Sequence, residues 1–161
     1  MARIRPAAAQ DAEPIARIYN QGIDERTSTF ETEPRSAQDI EEWLAAATRL
    51  PVLVADGDGE VLGWARVIAY SDRAVYAGVG EVSVYVDAAA RGQGLGRALL
   101  EALEQRAREL EYWKLVGKLF PENAASAALV ERCGWRHVGL HLRHSRLDGE
   151  WRDVLLVERV L

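Results

Sequence analysis

Three glycines and two arginines lie together in the segment Arg91–Arg97 (RGQGLGR), directly before a helix pattern rich in Leu and Ala. A Walker A loop requires a lysine after its last glycine, and none follows here. A Rossmann fingerprint requires G-x-G-x-x-G, and neither Gly92 nor Gly94 begins that spacing. The spacing R-x-x-G-x-G does fit, and the free N–H groups at a helix start can bind phosphate oxygens there. The alternative is a glycine-rich turn with solvated arginines.

A carboxylate opens the strand pattern Glu81–Val86 (EVSVYV), which alternates between two faces. One face carries Val82, Val84 and Val86, and the other carries Glu81, Ser83 and Tyr85. Glu81 therefore lies at the strand start on the more polar face. It is either a group that faces a cleft or an ordinary solvated glutamate.

Histidines and a cysteine are the other side chains that could do chemistry. No carboxylate or cysteine completes a metal ligand set near His137, His141 and His144, so we predict no metal site. Cys133 has no partner base suggested by the sequence, and we expect a small buried apolar role for it.

The length and composition predict one globular domain over residues 1–161. Hydrophobic residues are 48% and charged residues 28%, which is too apolar for a disordered chain. The formal net charge of -5 gives no overall attraction to nucleic acid or to an anionic membrane. The one cysteine excludes an intramolecular disulfide, and no apolar run approaches the roughly 20 residues that cross a bilayer. We expect a cytoplasmic protein without nucleic-acid or membrane partners.

The hydrophobic periodicity predicts the elements that position these residues. In chain order they are a strand at 3–5, a helix capped by Asp11, a helix opened by a Ser36–Asp39 capping box, a hairpin of 52–55 and 61–69, the strand 81–86, a helix at 93–109, a strand at 113–119, a helix from about 122 to Gly134, and a hairpin of 136–147 and 151–160. This order, βαα-ββ-βα-βα-ββ, predicts an α/β fold with a mixed sheet and helices on its faces.

Two segments carry a family resemblance: EVSVYVDAAARGQGLGRALLEAL, and NAASAALVERCGW after the next strand. They are similar to the core of the GNAT superfamily of acetyl-CoA-dependent N-acetyltransferases. Three others resemble the phosphinothricin, methionine sulfoximine and arsinothricin acetyltransferases: YNQGIDERTSTFETEP, SDRAVY and DGEWRDVLLVER. KLFPENAAS and RLDGEWRDV are most similar to the arsinothricin-resistance branch. The resemblance covers nearly the whole chain and implies a homodimer and a mostly antiparallel sheet with two splayed parallel strands.

The resemblance also implies where acetyl-CoA binds, namely between the splayed strands and without a metal. The strand contacts would be Val84, Tyr85 and Val86. The pyrophosphate would be held by backbone N–H groups of Gly92, Gln93, Gly94, Leu95, Gly96 and Arg97, and Arg91 and Arg97 would add cationic side chains. Asn123 matches an asparagine near the thiol end of the cofactor, and it could equally serve as a helix N-cap.

The implied activity is transfer of an acetyl group to the α-amino group of a small amino acid or amino-acid-like toxin, an antibiotic or herbicide detoxification. Glu81 matches the general base, which must remove a proton from the ammonium before the amine can attack. The amino-acid site would contain Phe30, Arg73 and Tyr76. For Phe30 the alternative is a core aromatic, and for Arg73 a solvated loop arginine.

This chain departs from the family pattern at two places. Ser71 stands where relatives carry a lysine, and Arg66 replaces an aromatic residue, so the oxyanion-binding set is altered. Val130 stands where many relatives carry the Tyr or His that protonates the leaving thiolate. Two alternatives therefore stay open: an acetyltransferase acting on a protein or polyamine amine, and a non-catalytic acetyl-CoA-binding module.

Overall fold

A seven-stranded sheet with the order β1-β2-β3-β4-β5-β7-β6 runs through the molecule, and the computed structural model describes residues 1–161. Its strands are β1 (Arg3–Pro6), β2 (Val52–Gly57), β3 (Glu60–Ala69), β4 (Val79–Val86), β5 (Lys114–Leu119), β6 (Arg136–Leu147) and β7 (Glu150–Val160). Only β4 and β5 are parallel neighbours, and all other neighbouring pairs are antiparallel. The predicted mixed, mostly antiparallel sheet is confirmed.

Helices cover both faces of the sheet: α1 (Ala12–Glu25), α2 (Ala37–Ala45), α3 (Leu95–Glu109) and α4 (Ala124–Arg132). One apolar core packs α3 against one face and includes Val82, Val84 and Val86, as the alternation in β4 predicts. The other core packs α1 and α2 against the opposite face, where Trp64 is fully buried and Tyr85 packs. None of the four helices combines the length and the apolar character of a membrane span.

The start of α1 differs from the prediction that Asp11 caps it with its side chain. The Asp11 carboxylate accepts instead from the Arg5 guanidinium at 2.7 and 3.0 Å and from the Ala8 N–H at 2.7 Å. Those hydrogen bonds, the one from Arg5 above all, hold the pKa of Asp11 below its usual value. The Asp11 carboxylate thus binds Arg5 of β1 and the Ala8 N–H, and these hydrogen bonds link the start of α1 to β1.

Other local signals are confirmed. Ser36 and Asp39 form the predicted capping box of α2. Asp58 and Gly59 take positive φ angles of 55° and 93° in the β2–β3 turn. The helix predicted over 93–109 begins two residues later, at Leu95, because Gly94 takes a left-handed φ of 81°.

Candidate active site

The parallel strands β4 and β5 pair over a short distance and then separate. The last pair joins Glu81 to Val116, whereas β4 continues to Val86 and β5 to Leu119. Beyond that point β4 stays paired with β3, and β5 with β7. The separation creates an opening in the sheet that begins beside Glu81.

The backbone of β4 directs alternate residues into this opening. The Asp87 N–H donates to the Leu62 carbonyl of β3 at 2.9 Å. Because successive strand residues point their N–H and C=O groups to opposite sides, the even-numbered residues of β4 face away from β3. The residues that present backbone groups to the opening are Val82, Val84 and Val86.

Tyr85 faces the other way, and its role differs from that of its neighbours. It is aligned with Trp64 on β3, and the two rings stack with centroids 4.9 Å apart. Burial, together with the adjacent Tyr19, raises the pKa of Tyr85 to about 12. Tyr85 therefore keeps its hydroxyl proton near neutral pH, and it offers the site a side chain rather than a backbone contact.

A cavity of about 460 Å³ lies at the opening. Segments from β4, β5, β7, α4, the loop after α1 and the end of β6 line it. The predicted site residues that it brings together are Phe30, Glu81, Val84, Tyr85 and Asn123. Cavity residues that the sequence prediction missed include Ser83, Lys118 and Phe120.

Glu81 forms an ion pair inside this cavity. Its carboxylate accepts a hydrogen bond from the Lys118 ammonium of β5 at 3.2 Å, and the Glu81 side chain is 21% exposed. The Lys118 ammonium thus occupies one position beside the Glu81 carboxylate. Lys118 could have been found in the sequence as the second lysine of the strand pattern KLVGKL.

The predicted amino-acid site is only partly assembled within the chain. Phe30 lines the cavity and meets Phe120 edge to face, with ring centroids 4.9 Å apart. Arg73 and Tyr76 are exposed in the β3–β4 loop, where the guanidinium carbon lies 5.6 Å from the tyrosine ring centroid. Neither lines the cavity. Of the three residues, the structure brings only Phe30 close to Glu81.

Arg66 is a cation without an ion-pair partner, and the cavity lining includes its neighbour Ser83 but not Arg66 itself. It is aligned with Ser83 across β3 and β4, and its guanidinium carbon lies 3.4 Å from the centroid of the Trp43 ring. Its buried Nε has no hydrogen-bond partner, and the side chain forms no ion pair. Burial lowers the pKa of Arg66, and the charge of Arg35 acts in the same direction. An anionic group would therefore be stabilised here.

The glycine loop lies beyond the cavity, between β4 and α3. Gly92 and Gly94 take positive φ angles of 78° and 81°, and a Cβ at either position would project into open space. The loop ends at the start of α3, whose first N–H groups have no intrahelical partner. Bare backbone at a helix N-terminus has the form of an anion cradle.

Asn123 caps a helix and also lies at the cavity. Its side-chain oxygen accepts from the Ser126 N–H at 3.1 Å, which caps α4, and Asn123 also lines the cavity. Val130 is a buried cavity residue, so an aliphatic group occupies this position. His144 lines the cavity too and stacks on His141, with ring centroids 4.3 Å apart.

The chain contains no group of three or more His, Cys, Asp or Glu side chains arranged to hold a metal ion. Cys133 is partly buried and packs on the core beside α3. Burial raises the pKa of its thiol, which disfavours the nucleophilic thiolate.

Known proteins share this sequence pattern and fold. A family model described as Acetyltransferase (GNAT) family matches residues 15–135. The phosphinothricin N-acetyltransferase of Streptomyces coelicolor is 32% identical over 164 aligned positions, covering 99% of this chain and 96% of that protein. An L-methionine sulfoximine/L-methionine sulfone acetyltransferase of Pseudomonas paraeruginosa is 34% identical over 160, covering 98% and 93%.

A solved structure of the same superfamily has the same fold. The GNAT superfamily phosphinothricin acetyltransferase from Sinorhizobium meliloti, in complex with AcCoA, superposes with a TM-score of 0.93. It is 30% identical, over 99% of this chain and 88% of that one. The similarity therefore extends over nearly the whole chain and includes the strands that form the opening.

Proposed function

The chain belongs to the GNAT acetyltransferase family, whose cosubstrate is acetyl-CoA, and we propose that residues 1–161 form one catalytic domain that acetylates the α-amino group of a small amino acid or amino-acid-like toxin. Substrates of the phosphinothricin, methionine sulfoximine or arsinothricin type fit this class. The observation that carries the proposal is the position of Glu81, which lines the cavity at the point where β4 and β5 separate.

The residues present fit acetyl-CoA. Backbone groups of Val84 and Val86 face the opening and can bond the pantetheine arm. The pyrophosphate would lie on the backbone N–H groups from Gly92 to Arg97, where no Cβ blocks its approach at Gly92 or Gly94. Asn123 lines the cavity near α4, and the thiol end of acetyl-CoA would lie at this position.

Glu81 would act as the general base. The amine arrives as an ammonium, and the Glu81 carboxylate takes its proton so that the nitrogen lone pair can attack the thioester carbonyl carbon. The nitrogen then loses a second proton to water, the C–S bond breaks, and the thiolate leaves. N–H groups that β4 presents to the opening stabilise the negative charge that develops on the carbonyl oxygen. Lys118 stands where the substrate ammonium would approach, so the ammonium must share or displace that ion pair.

The missing proton donor at Val130 does not prevent this reaction. An ordinary thiol has a pKa of about 8.5, so a thiolate is a competent leaving group near neutral pH. Tyr85, whose pKa is raised to about 12, is too weak an acid to supply the proton efficiently. We propose that the thiolate leaves without a dedicated donor and takes its proton from water.

Arg66, rather than Arg73, is expected to favour substrates that carry a carboxylate or another oxyanion. Arg66→Met should lower kcat/KM for the preferred amino acid by about tenfold or more, the scale of losing a charged hydrogen bond. Arg73→Ala should change it little, because Arg73 is exposed, whereas Arg66 is partly buried beside the cavity residue Ser83. The assay follows thiol release with phosphinothricin, methionine sulfoximine, methionine sulfone, arsinothricin, ordinary amino acids, and an amine without a carboxylate. A larger loss with Arg73→Ala would contradict this assignment.

The main alternative is a cationic substrate such as a polyamine or a protein amine. Two carboxylates, Glu31 and Glu81, line the cavity and would favour it. Preferential turnover of spermidine or of a peptide N-terminus in the same assay would establish it. Saturable acetyl-CoA binding with no turnover of any amine would indicate the non-catalytic module instead.

We propose a homodimer as the assembled form. The edge strand β6 is exposed along almost its whole length and presents Val138, Leu140 and Leu142, the last 72% exposed. Trp151 on the adjoining strand is 51% exposed. Apolar side chains along an open sheet edge suit a second copy of the chain.

Light scattering should give twice the chain mass of 17.9 kDa, and Leu142→Glu should shift it to the monomer mass. A monomer at all concentrations would exclude the dimer.

A further inference from the structure

One side of α1 contacts the connection between β4 and α3 at three successive turns. The contacting residues are Arg17, Gln21 and Glu25, spaced four residues apart so that they lie on one helix face. We call these three residues the loop clamp. The connection that they hold runs directly into the glycine loop.

The first two contacts fix the beginning of the connection. Arg17 forms an ion pair with Asp87, which is 7% exposed and also accepts from the Ala89 N–H. The backbone bond from Ala89, followed by the Arg17 bond, holds the pKa of Asp87 below its usual value. Gln21 accepts a hydrogen bond from the Ala88 N–H at 3.0 Å. The turn at residues 87–89 is thereby attached to α1, which packs on the sheet face opposite to α3.

The third contact engages the arginine that opens the glycine loop. Both terminal nitrogens of Arg91 donate to the Glu25 carboxylate, at 2.7 and 3.1 Å. Its Nε donates to the carbonyl of Val86 at 3.2 Å. All three guanidinium nitrogens are thus occupied by the protein. The sequence suggested Arg91 as a phosphate contact, but in the structure its side chain links β4 to α1.

The clamp sits on a closely packed helix. A Cβ at Gly22 would lie 2.5 Å from the Tyr85 ring, so the glycine lets α1 approach β4 closely. Just past the end of α1, the chain continues into the segment 28–31, which lines the cavity. The same helix therefore holds the glycine loop with one side and leads into the cavity wall at its end.

We propose that Arg17, Gln21 and Glu25 are positioning residues for acetyl-CoA, which hold the glycine loop so that its backbone N–H groups meet the pyrophosphate. The inference rests on the acetyl-CoA site proposed above. It assigns phosphate recognition to the backbone N–H groups from Gly92 to Arg97 and removes the Arg91 side chain from the set of phosphate ligands.

The test compares Glu25→Gln and Arg17→Met with Glu109→Gln, which breaks the exposed Arg106–Glu109 pair at the far end of α3. Glu25→Gln should raise KM and Kd for acetyl-CoA about threefold to fivefold, as for an exposed ion pair. Arg17→Met should raise them about tenfold, because buried Asp87 loses its partner. The values of kcat and of KM for the amine should match those of the control, as should the Tm of Glu25→Gln. The Tm of Arg17→Met should fall below it, because the buried Asp87 carboxylate loses its partner.

Acetyl-pantetheine separates positioning from general damage, because it carries the thioester but no pyrophosphate. The clamp variants should use it as well as the wild type does. Equal losses with both thioesters would overturn the proposal, as would clamp variants indistinguishable from Glu109→Gln. Tighter acetyl-CoA binding by Glu25→Gln would also overturn it, since Arg91 would then be a phosphate ligand that Glu25 restrains. A wild type that binds no acetyl-CoA would instead refute the acetyl-CoA site itself, and the clamp with it.

Discussion

Glu81→Gln is expected to lower kcat by about 100-fold to 10,000-fold, the usual contribution of a positioned general base. The amide cannot take the proton from the substrate ammonium, although its oxygen can still accept the hydrogen bond from Lys118 that the carboxylate accepts at 3.2 Å. The cavity and the fold should therefore persist. Because Glu81 lies where the strands begin to separate and not in the glycine loop, Kd for acetyl-CoA should be nearly unchanged.

Glu31→Gln is the matched control for this variant. Glu31 also lines the cavity, but its carboxylate pairs with Arg35 at 3.1 Å and has no proposed part in proton removal. Steady-state kinetics with acetyl-CoA and the preferred amine, combined with calorimetric binding of acetyl-CoA, separates the two variants. An unchanged kcat in Glu81→Gln, or an equal loss in both variants, would remove Glu81 from the role of base. Ping-pong kinetics with an acetylated enzyme would contradict direct attack.

Local sequence signals were enough to predict the framework of this site. The alternation in Glu81–Val86 indicated which side chains share a face, and the structure places Val82 and Tyr85 on opposite faces, each packed against a different core. The loop spacing indicated bare backbone at a helix start, which Gly92 and Gly94 provide. Such signals work because strand alternation and helix ends are determined by residues close together in the chain.

Contacts between distant segments could not be predicted in the same way. Glu25 and Arg91 are far apart in sequence, and nothing in either neighbourhood indicates the other. The ion pair of Glu81 with Lys118 depends on the register of β4 against β5. Single-residue matches to the family placed Arg73 near the substrate, whereas the conformation of its loop leaves it outside the cavity.

Two positions at which this chain departs from the family pattern lie at or beside the cavity. Arg66 replaces an aromatic residue, and its guanidinium stacks on Trp43 instead of forming an ion pair. The positive charge thereby has no ion-pair partner, although it lies on the sheet face that carries Glu81 and Ser83. Val130 places an aliphatic group in the cavity lining, and this group cannot donate a proton to the leaving thiolate. We expect the first change to alter substrate preference and the second to alter proton delivery, with the framework for acetyl-CoA unchanged.

Gly94→Ala is expected to raise Kd for acetyl-CoA by roughly tenfold, since the left-handed conformation costs an L-residue about 1–2 kcal/mol. Gly94 has a φ of 81°, and open space surrounds its missing Cβ, so the protein itself does not clash with alanine. The loop can relieve the strain only by rotating its N–H groups away from the position proposed for the pyrophosphate. If it keeps its conformation, the new methyl group projects into the space that the phosphate would approach.

Gly59→Ala provides the matched control for this effect. Gly59 has a φ of 93°, again with open space around its missing Cβ, but it lies in the β2–β3 turn away from the cavity. Both alanine variants should lose a similar free energy of unfolding, about 1–2 kcal/mol. Calorimetric titration with acetyl-CoA should then show weaker binding in Gly94→Ala alone. Equal destabilisation with equal affinity would mean that the glycine loop serves the fold and not the pyrophosphate.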